Sequence, residues 1–469
     1  MKKRKLVLAL MLSLMMLVTM IPSFSFADET GTQVTMKAGS ALKYQESNLV
    51  VAHGGTATLP DTVAVTAGGG DDKALSAGTD FDWVCGKLVQ NGTKWLWQKT
   101  DFSSDKAGEF TYRMQLKNGL YYKDEDGNSS NDKDYISSDK YSLQQARVIV
   151  QPEQELALNV TVTDPGKDGL KSAVQKALPE GKNFADITSL TIETASGASL
   201  YWSDDRQGRY ADPLTENDAF TFLLDDCYNL KALDLSKAAM KASTKASYEY
   251  QGGTTQAPNG STTTTYNSPT DGTWFPAEAL YRERTRRLDG GINTGMKIMP
   301  TLKSLELPEN TTVIGMKSCR MLSALENIKI PKSVTEISNM AFENTDDGTA
   351  AATIEFEAGS ALKTLGNRAF MRLGTGSLKL PDSVESIGSN CFQACGFTDI
   401  TLGTSLKEIG GGAFRENGNL TQIAFPESLT TIGGYAFYQT GLTKVTIPST
   451  VTTIETRAFS TCANLEEVD

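Results

Sequence analysis

The chain of 469 residues contains a single histidine, His53. No residue near it in the sequence is suited to metal or nucleophilic chemistry. The sequence therefore argues against Ser-His-Asp and Cys-His catalysis and against histidine-rich metal sites. The sequence also lacks a glycine-rich phosphate loop at a strand–helix junction. Carboxylates alone can serve a glycosidase, but nothing in the sequence places two of them in a common cleft. We therefore predict a protein with no enzymatic activity, no cofactor and no metal.

Basic residues are fewer than acidic ones: 45 Lys and Arg stand against 56 Asp and Glu, for a net charge of −11. An acidic chain is not expected to bind nucleic acid or anionic membranes. The acidic segment 124–134 offers oxygen ligands of the kind that calcium prefers, but it departs from the EF-hand pattern. Ser129 stands where that pattern has glycine, and Tyr135 where it has glutamate. A solvated acidic loop and a calcium loop both stay open as interpretations.

The one marked apolar run lies at the N-terminus. Residues 2–5 are basic, residues 6–20 are apolar, and Ser25 and Ala27 form a small-x-small cleavage pattern. This order is typical of a secretory signal peptide at residues 1–27, and an uncleaved membrane anchor is the alternative. Cleavage removes four basic residues and no acidic one, so the net charge moves from −11 to −15. We expect a secreted or surface-displayed protein with no integral membrane segment after cleavage.

From residue 302 onward the sequence repeats a pattern that carries Leu-x-x-Ile-x-Ile-Pro, then Val-x-x-Ile-Gly-x-x-Ala-Phe. The aliphatic anchors of the second half recur at intervals of 23, 28, 22, 22, 23 and 22 residues, at Ile314, Ile337, Leu365, Ile387, Ile409, Ile432 and Ile454. A large or apolar residue follows five positions later in each unit, at Cys319, Phe342, Phe370, Phe392, Phe414, Phe437 and Phe459. Units that keep this register predict a solenoid, in which each coil packs on its neighbours.

These units resemble the BspA-type leucine-rich repeats of bacterial surface proteins. The resemblance is specific for residues 302–469 and becomes weaker upstream. It implies secretion, display at the cell surface and adhesion to host extracellular proteins or to other bacteria. The motif defines a scaffold and contains no catalytic residue, so this functional inference is by analogy.

Upstream of the clear repeats we predict a solenoid that begins at residue 156. Helical spacing of Leu170, Val174 and Leu178 predicts a cap helix at 168–178. A Thr-, Gly- and Ser-rich segment predicts a disordered insertion at 241–273, and 281–300 is a second insertion with arginines on a short helix. Residues 28–155 lack the repeat and alternate as short strands, best at 62–66, 110–116 and 146–150. We predict an immunoglobulin-like β-sandwich of about seven strands there, and residues 107–112 weakly resemble a strand of such bacterial modules.

Two sets of residues are candidates for binding. On the solenoid, the polar positions of the first strand of each unit form a mixed face without aromatics, which suits protein–protein contact; its candidates are Glu306, Lys329, Glu355, Lys379, Thr401 and Thr446. In the N-terminal part, Trp83, Trp95 and Trp97 could stack on sugar rings, so glycans are a second possible class of ligand. The alternative for the tryptophans is a role in the core of the sandwich.

Six cysteines in a secreted chain suggest disulfides, but the repeat register argues against them. Five of the six occupy apolar slots of the repeat, where a thiol behaves as a small hydrophobic residue. The chain stops at Asp469, within the opening of another strand. We expect the last coil to be open, so that the chain is a fragment or is completed by a partner; a naturally ragged end is the alternative.

Overall fold

The structure is a computed structural model of the chain. It describes residues 32–36, 48–59, 61–67, 72–91, 94–116, 120–123, 129–130, 145–202, 218–243, 247–251, 263–267, 271–281, 298–344 and 350–469. The predicted signal peptide and the arginines at 282–287 lie outside these residues, as does most of the acidic segment 124–134. In the long 28-residue unit, from Ile337 to Leu365, residues 345–349 lie outside the described ones.

The N-terminal part consists of β-strands. In the described residues they are β1 (Thr32–Met36), β2 (Asn48–Val51), β3 (Thr62–Ala67), β4 (Asp72–Ser76), β5 (Phe81–Asn91), β6 (Lys94–Lys99), β7 (Gly108–Leu116), β8 (Leu120–Lys123), β9 (Ser129–Ser130) and β10 (Gln145–Val150). They form two five-stranded sheets, in the orders β4-β3-β1-β8-β9 and β2-β10-β7-β5-β6. Strands are present at all three best predicted segments, namely in β3, β7 and β10.

The strand count exceeds the expected seven, because β2, β8 and β9 are only two to four residues long. Such short strands contain too few alternating positions to be recognised in a sequence. Most pairs are antiparallel, but β1 with β8 and β2 with β10 are parallel. The immunoglobulin-like character of this part, and the boundaries of the domains, stay predictions.

The described rest of the chain consists mainly of short parallel strands, with one antiparallel hairpin and few helices. The strands are β11 (Leu156–Val162), β12 (Ile187–Thr194), β13 (Ala232–Asp234), β14 (Ser247–Gln251), β15 (Thr263–Asn267), β16 (Trp274–Phe275), β17 (Ser304–Glu306), β18 (Val313–Ile314), β19 (Asn327–Ile330), β20 (Glu336–Ile337), β21 (Thr353–Phe356), β22 (Thr364–Leu365), β23 (Thr375–Lys379), β24 (Ser386–Ile387), β25 (Gly396–Thr401), β26 (Glu408–Ile409), β27 (Thr431–Ile432), β28 (Lys444–Val445), β29 (Thr453–Ile454) and β30 (Glu467–Val468). Within the described residues, the helices are α1 (Gly169–Ala177), α2 (Ala219–Asp226) and a 3-10 turn at Phe184–Asp186.

Two columns of parallel strands follow from the repeat. The front column begins with the sheet β11-β12-β13-β17-β19-β21 and continues as the pairs β23-β25 and β28-β30. The back column is the sheet β16-β18-β20-β22-β24-β26-β27-β29. In the back column each anchor pairs with the next, as Ile314 with Ile337 and Ile409 with Ile432. The repeat register read from the sequence is therefore the register of the sheet.

The core of the solenoid contains a column of phenylalanine rings. Neighbouring rings stack nearly parallel, with centroids 5.1–5.6 Å apart, in the order Phe342, Phe370, Phe392, Phe414, Phe437 and Phe459. One coil adds about 4.8 Å along the stack, so identical slots in successive coils bring identical side chains into contact. The five rings from Phe342 to Phe437 are almost fully buried.

The third side of each coil is a turn that bonds to the next coil through its backbone. Met340 N donates to Asn367 O and Phe342 N to Ala369 O, both at 2.8 Å, and the same pattern recurs in the following units. This side carries non-glycine residues with positive φ, for example Arg368 at 56° and Tyr435 at 59°. The hydrogen-bonded ladder holds these residues in a left-handed conformation that costs roughly 1 kcal/mol or more per residue.

Helix α1 packs on the first strand of the front column. Leu170 and Val174 are buried and Leu178 is half-buried, whereas Lys171, Ser172 and the other outward residues are exposed. The spacing of these three apolar residues therefore gives a helix with one apolar face, as such spacing requires.

The insertion at 241–273, expected to be disordered, contains the hairpin strands β14 and β15 in the described part of the chain. They pair antiparallel, with Tyr248 opposite Tyr266 and Tyr250 opposite Thr264. Tyrosine and threonine favour strands, which accounts for these two segments. Residues 252–262, between them, lie outside the described residues, so the expectation of disorder there stays a prediction.

A buried polar contact joins the N-terminal sheet to the solenoid. Arg147 on β10 is 7% exposed; it forms an ion pair with Glu109 at 2.8 Å and donates to Ile298 O at 3.1 Å. Asn229 donates to Val150 O at 3.0 Å from the solenoid side. Because these polar side chains are buried and hydrogen-bonded, they fix the junction more firmly than a flexible linker would.

All six cysteines are described, and none is in a disulfide. Cys391 and Cys395 are buried in the core, and the Cys395 thiol points at Phe370 O at 3.3 Å. Burial raises the pKa of the Cys395 thiol to about 12 and that of Cys391 well above its ordinary value. Both therefore act as small apolar residues, as the repeat slots predicted.

Candidate interaction surface

The outward positions of the front strands form one row across the solenoid. The register pairs Glu306 with Lys329, and Lys329 with Glu355. In the next pair of the front column, formed by β23 and β25, Lys379 pairs with Thr401. The alternation of strand residues explains this row, because the residues between these positions are buried: Ile328 and Ile354 lie beneath it.

Charges along the row hold one another in place. Lys329 lies in an ion pair with Glu357 at 2.9 Å. This hydrogen-bonded pair, and further away the carboxylates of Glu306 and Glu355, raise the pKa of Lys329. Lys329, Glu355, Lys379, Thr401 and Thr446 are exposed, and Glu306 is half-buried. The structure thus presents all six solenoid candidates at one face, ordered by a rigid backbone.

The front column is interrupted within this face. Between β25 and β28, the coil at Gln422–Phe425 makes a single bridge, Thr401 with Ala424, in place of a strand. This unit has 23 residues from Ile409 to Ile432, whereas both neighbouring units have 22. The extra residue enters between Phe414 and Leu420, immediately before the interrupted strand.

A groove of about 680 Å³ lies at the interruption. Its apolar floor contains Ile423 and Phe425, which are half-buried, although Ile400 and Leu402 in the preceding coil are buried. Thr401, Thr446 and Lys444 lie at its edges. The groove therefore adds a partly uncovered apolar surface to a polar face, the combination found at protein interfaces.

The small side chain of Ala424 helps to form the groove. Along the outward row the chain has Glu306, Lys329, Glu355, Lys379, Thr401, Ala424 and Thr446, and only Ala424 among them lacks a polar group. The sequence analysis did not single out this position or Asp399, which also lines the groove. The signal was present as the apolar residue in a polar row. Unit length alone does not mark the groove, because the unit from Ile314 to Ile337 also has 23 residues and its front strand β19 is regular.

The three tryptophans are not equally close to one another along the strands. Trp97 pairs with Leu88 and Trp95 with Gln90, whereas Trp83 pairs with Met114 further along β5. Trp83 and Leu88 are five residues apart on one strand, roughly 16 Å. Trp83 is half-buried and contacts Phe81 edge to face at 5.4 Å. The side chains of Trp95 and Trp97 lie outside the described ones, so a sugar platform there stays a prediction.

The described residues contain no group of three or more His, Cys, Asp and Glu side chains arranged to hold a metal ion. Within the same residues, no helix has the length and apolar character needed to cross a membrane.

Comparison with known proteins identifies the repeat. A model of the BspA type leucine rich repeat region matches residues 297–360 and 348–466, in six copies. Among curated proteins, none matches the chain.

Solved structures show similarity over 36% of the chain. They include a leucine rich cell surface protein from Faecalibacterium prausnitzii (26% identity, TM-score 0.27), a leucine-rich repeat protein from Bacteroides ovatus (21%, 0.28) and the pneumococcal vaccine antigen PcpA (17%, 0.22). The matched segment spans about half of each of those proteins, namely 54%, 49% and 56%. The repeat model, together with the two columns of stacked strands, identifies residues 297–466 of this chain as a BspA-type leucine-rich repeat region.

Proposed function

We propose that this is a secreted or cell-surface protein that binds partner proteins through the front face of its solenoid, and that it serves in adhesion. The row of Glu306, Lys329, Glu355, Lys379 and Thr401 carries the proposal. Registered strands hold these side chains in fixed order on a surface that needs little rearrangement to bind. Pre-organisation of this kind lowers the entropic cost of association.

The chemistry of the face supports a protein partner. It mixes both signs of charge with threonine hydroxyls and contains a partly apolar groove beside them. Protein interfaces combine a polar rim with an apolar centre, whereas small-molecule sites are enclosed and mostly apolar. The match of residues 297–466 to the BspA-type repeat supports the location and the role in adhesion that this resemblance implies. Host extracellular proteins and bacterial surface proteins are the proposed partners.

The proposal is tested by capture on the immobilised full chain. Purified host extracellular proteins and whole bacterial cells are applied to the wild-type protein and to Lys379→Glu, which reverses an exposed charge in the row. Lys176→Glu, on the exposed outer side of α1, is the matched control. We expect capture to fall about tenfold with Lys379→Glu, the equivalent of about 1.4 kcal/mol, and to stay unchanged with the control.

Equal capture by both variants would place binding away from the front face. A glycan array run beside these assays covers the alternative ligand class. Glycan capture that is lost in Trp95→Ala would instead favour carbohydrate binding by the N-terminal part, with the solenoid as a spacer.

A further inference from the structure

The groove in the front face has a chemistry of its own. Its floor is apolar at Ile423 and Phe425, and Asp399 lies at its edge on β25. Asp399 is exposed and makes no ion pair or hydrogen bond through its side chain with any described residue. A carboxylate beside an uncovered apolar floor is suited to a cation that is attached to an apolar group.

The opposite edge of the groove adds no net positive charge. Lys444 forms ion pairs with Glu467 at 2.9 Å and with Asp469 at 2.7 Å. These carboxylates raise the pKa of Lys444 and keep it charged. Glu467 and Asp469 lie outside the groove lining and balance Lys444, so Asp399 is the lining charge that has no counter-ion among the described residues. The groove is therefore acidic on balance and attracts a basic partner.

The dimensions fit a short extended segment. The groove spans the coils of Thr401, Ala424 and Thr446, and three coils at about 4.8 Å cover roughly 10 Å between the outer two. An extended peptide advances about 3.3 Å per residue, so about three of its residues fit across the groove. One large apolar side chain and one neighbouring lysine or arginine satisfy the floor and Asp399 together.

We infer that this groove binds an extended peptide segment of a partner protein, with a large apolar side chain on Ile423 and Phe425 and an adjacent lysine or arginine paired with Asp399. The inference rests on the proposed function of the front face and specifies the chemistry of its partner. A glycan fits less well, because no tryptophan or tyrosine lines the groove to stack on a sugar ring.

Variants at two exposed positions of the groove, Ala424 and Asp399, test the inference. Ala424→Arg fills the centre of the groove and places a cation where the partner's cation is expected. Asp399→Lys reverses the charge at the edge, and Asp399→Asn keeps the shape while it removes the charge. Ala424 and Asp399 are exposed, so all three proteins should fold. Ala358→Arg, at an exposed alanine outside the groove, is the matched control for the added arginine.

The probe is a random peptide library displayed on phage and selected on the immobilised full chain, with subtraction against the Ala424→Arg protein. We expect the peptides retained by the wild type to carry Lys or Arg within two positions of Phe, Leu, Ile, Met or Trp. Synthetic copies, measured by fluorescence anisotropy, should bind about tenfold more weakly to Ala424→Arg and Asp399→Lys. Asp399→Asn should give an intermediate loss, and Ala358→Arg a change of less than about twofold.

Several outcomes would overturn the inference. Selected peptides that lack basic residues, or that bind Asp399→Lys as well as wild type, would exclude the charge pairing. No enrichment above the subtracted background would exclude peptide binding, and glycan capture that is lost in Ala424→Arg would replace the peptide by a glycan. Protein capture that falls in Lys379→Glu but persists in Ala424→Arg would leave the proposed function intact and refute the groove alone.

Discussion

The column of phenylalanine rings gives a direct test of the solenoid core. Phe414 lies between Phe392 and Phe437, with ring centroids at 5.6 and 5.4 Å, and its side chain is fully buried. Phe414→Ala removes the ring from the middle of the stack and leaves a cavity. Truncation of a buried phenylalanine costs about 3–5 kcal/mol. Two lost ring contacts, each about 0.5–1.5 kcal/mol, place the expected value in the upper part of that range.

The measurement is urea unfolding of the full chain, followed by circular dichroism, with Thr446→Ala as the control. Thr446 is exposed on the front face, so its truncation should change the free energy of unfolding by less than about 0.5 kcal/mol. Each coil of a solenoid contacts only its neighbours, so the loss should appear first as local opening around residues 392–437. Native-state hydrogen exchange can map this opening.

Two results would contradict this reasoning. Equal destabilisation by Phe414→Ala and Thr446→Ala would mean that the inward and outward positions are wrongly assigned. Increased exchange spread evenly over the chain, with no maximum in the coils next to Phe414, would mean that the solenoid unfolds as one unit and that nearest-neighbour packing does not govern its stability.

Three further predictions concern the junction, the thiols and the surface charges. Arg147→Ala should lower the stability by about 3 kcal/mol, because it removes the ion-pair partner of the partly buried Glu109, and Glu109→Gln in the same chain should recover part of this loss in urea melts. Cys391 and Cys395 should react with iodoacetamide at pH 8 at least about a hundredfold faster in denaturant than in the native protein, by mass spectrometry, since burial raises the pKa of both thiols; equal rates would show that they are accessible. Hydrogen bonds from two lysines lower the pKa of Glu385 to about 2, so its contribution to stability is present above about pH 4.5 and is lost as the pH falls toward 2; Glu385→Gln should lose less melting temperature over this range than wild type, and high salt should reduce the difference.

The sequence predicted the repeated part of the structure well, for a physical reason. A buried slot accepts few side chains, so Ile409 and Phe414 recur in kind from unit to unit and reveal the register without any structural information. The same argument identified the cysteines as core residues, because Cys391 and Cys395 occupy slots filled elsewhere by apolar groups. The N-terminal part has no such repetition. Its short strands depend on pairing between distant segments, such as β2 with β10, that a local pattern does not contain.

The candidate site was predicted in outline, but its most distinctive part was not. Alternation along the strands placed Glu306, Lys329 and Glu355 on one face, and the structure has them there in adjacent strands. The groove lies at departures from the repeat: a single bridge in place of a front strand at 422–425, and an alanine at 424 in a polar row. Comparison of units reveals what they share, which is the core that holds them together. A specific partner is recognised by what one unit does differently, so in a solenoid of this kind the exceptions to the repeat are the first residues to test for binding.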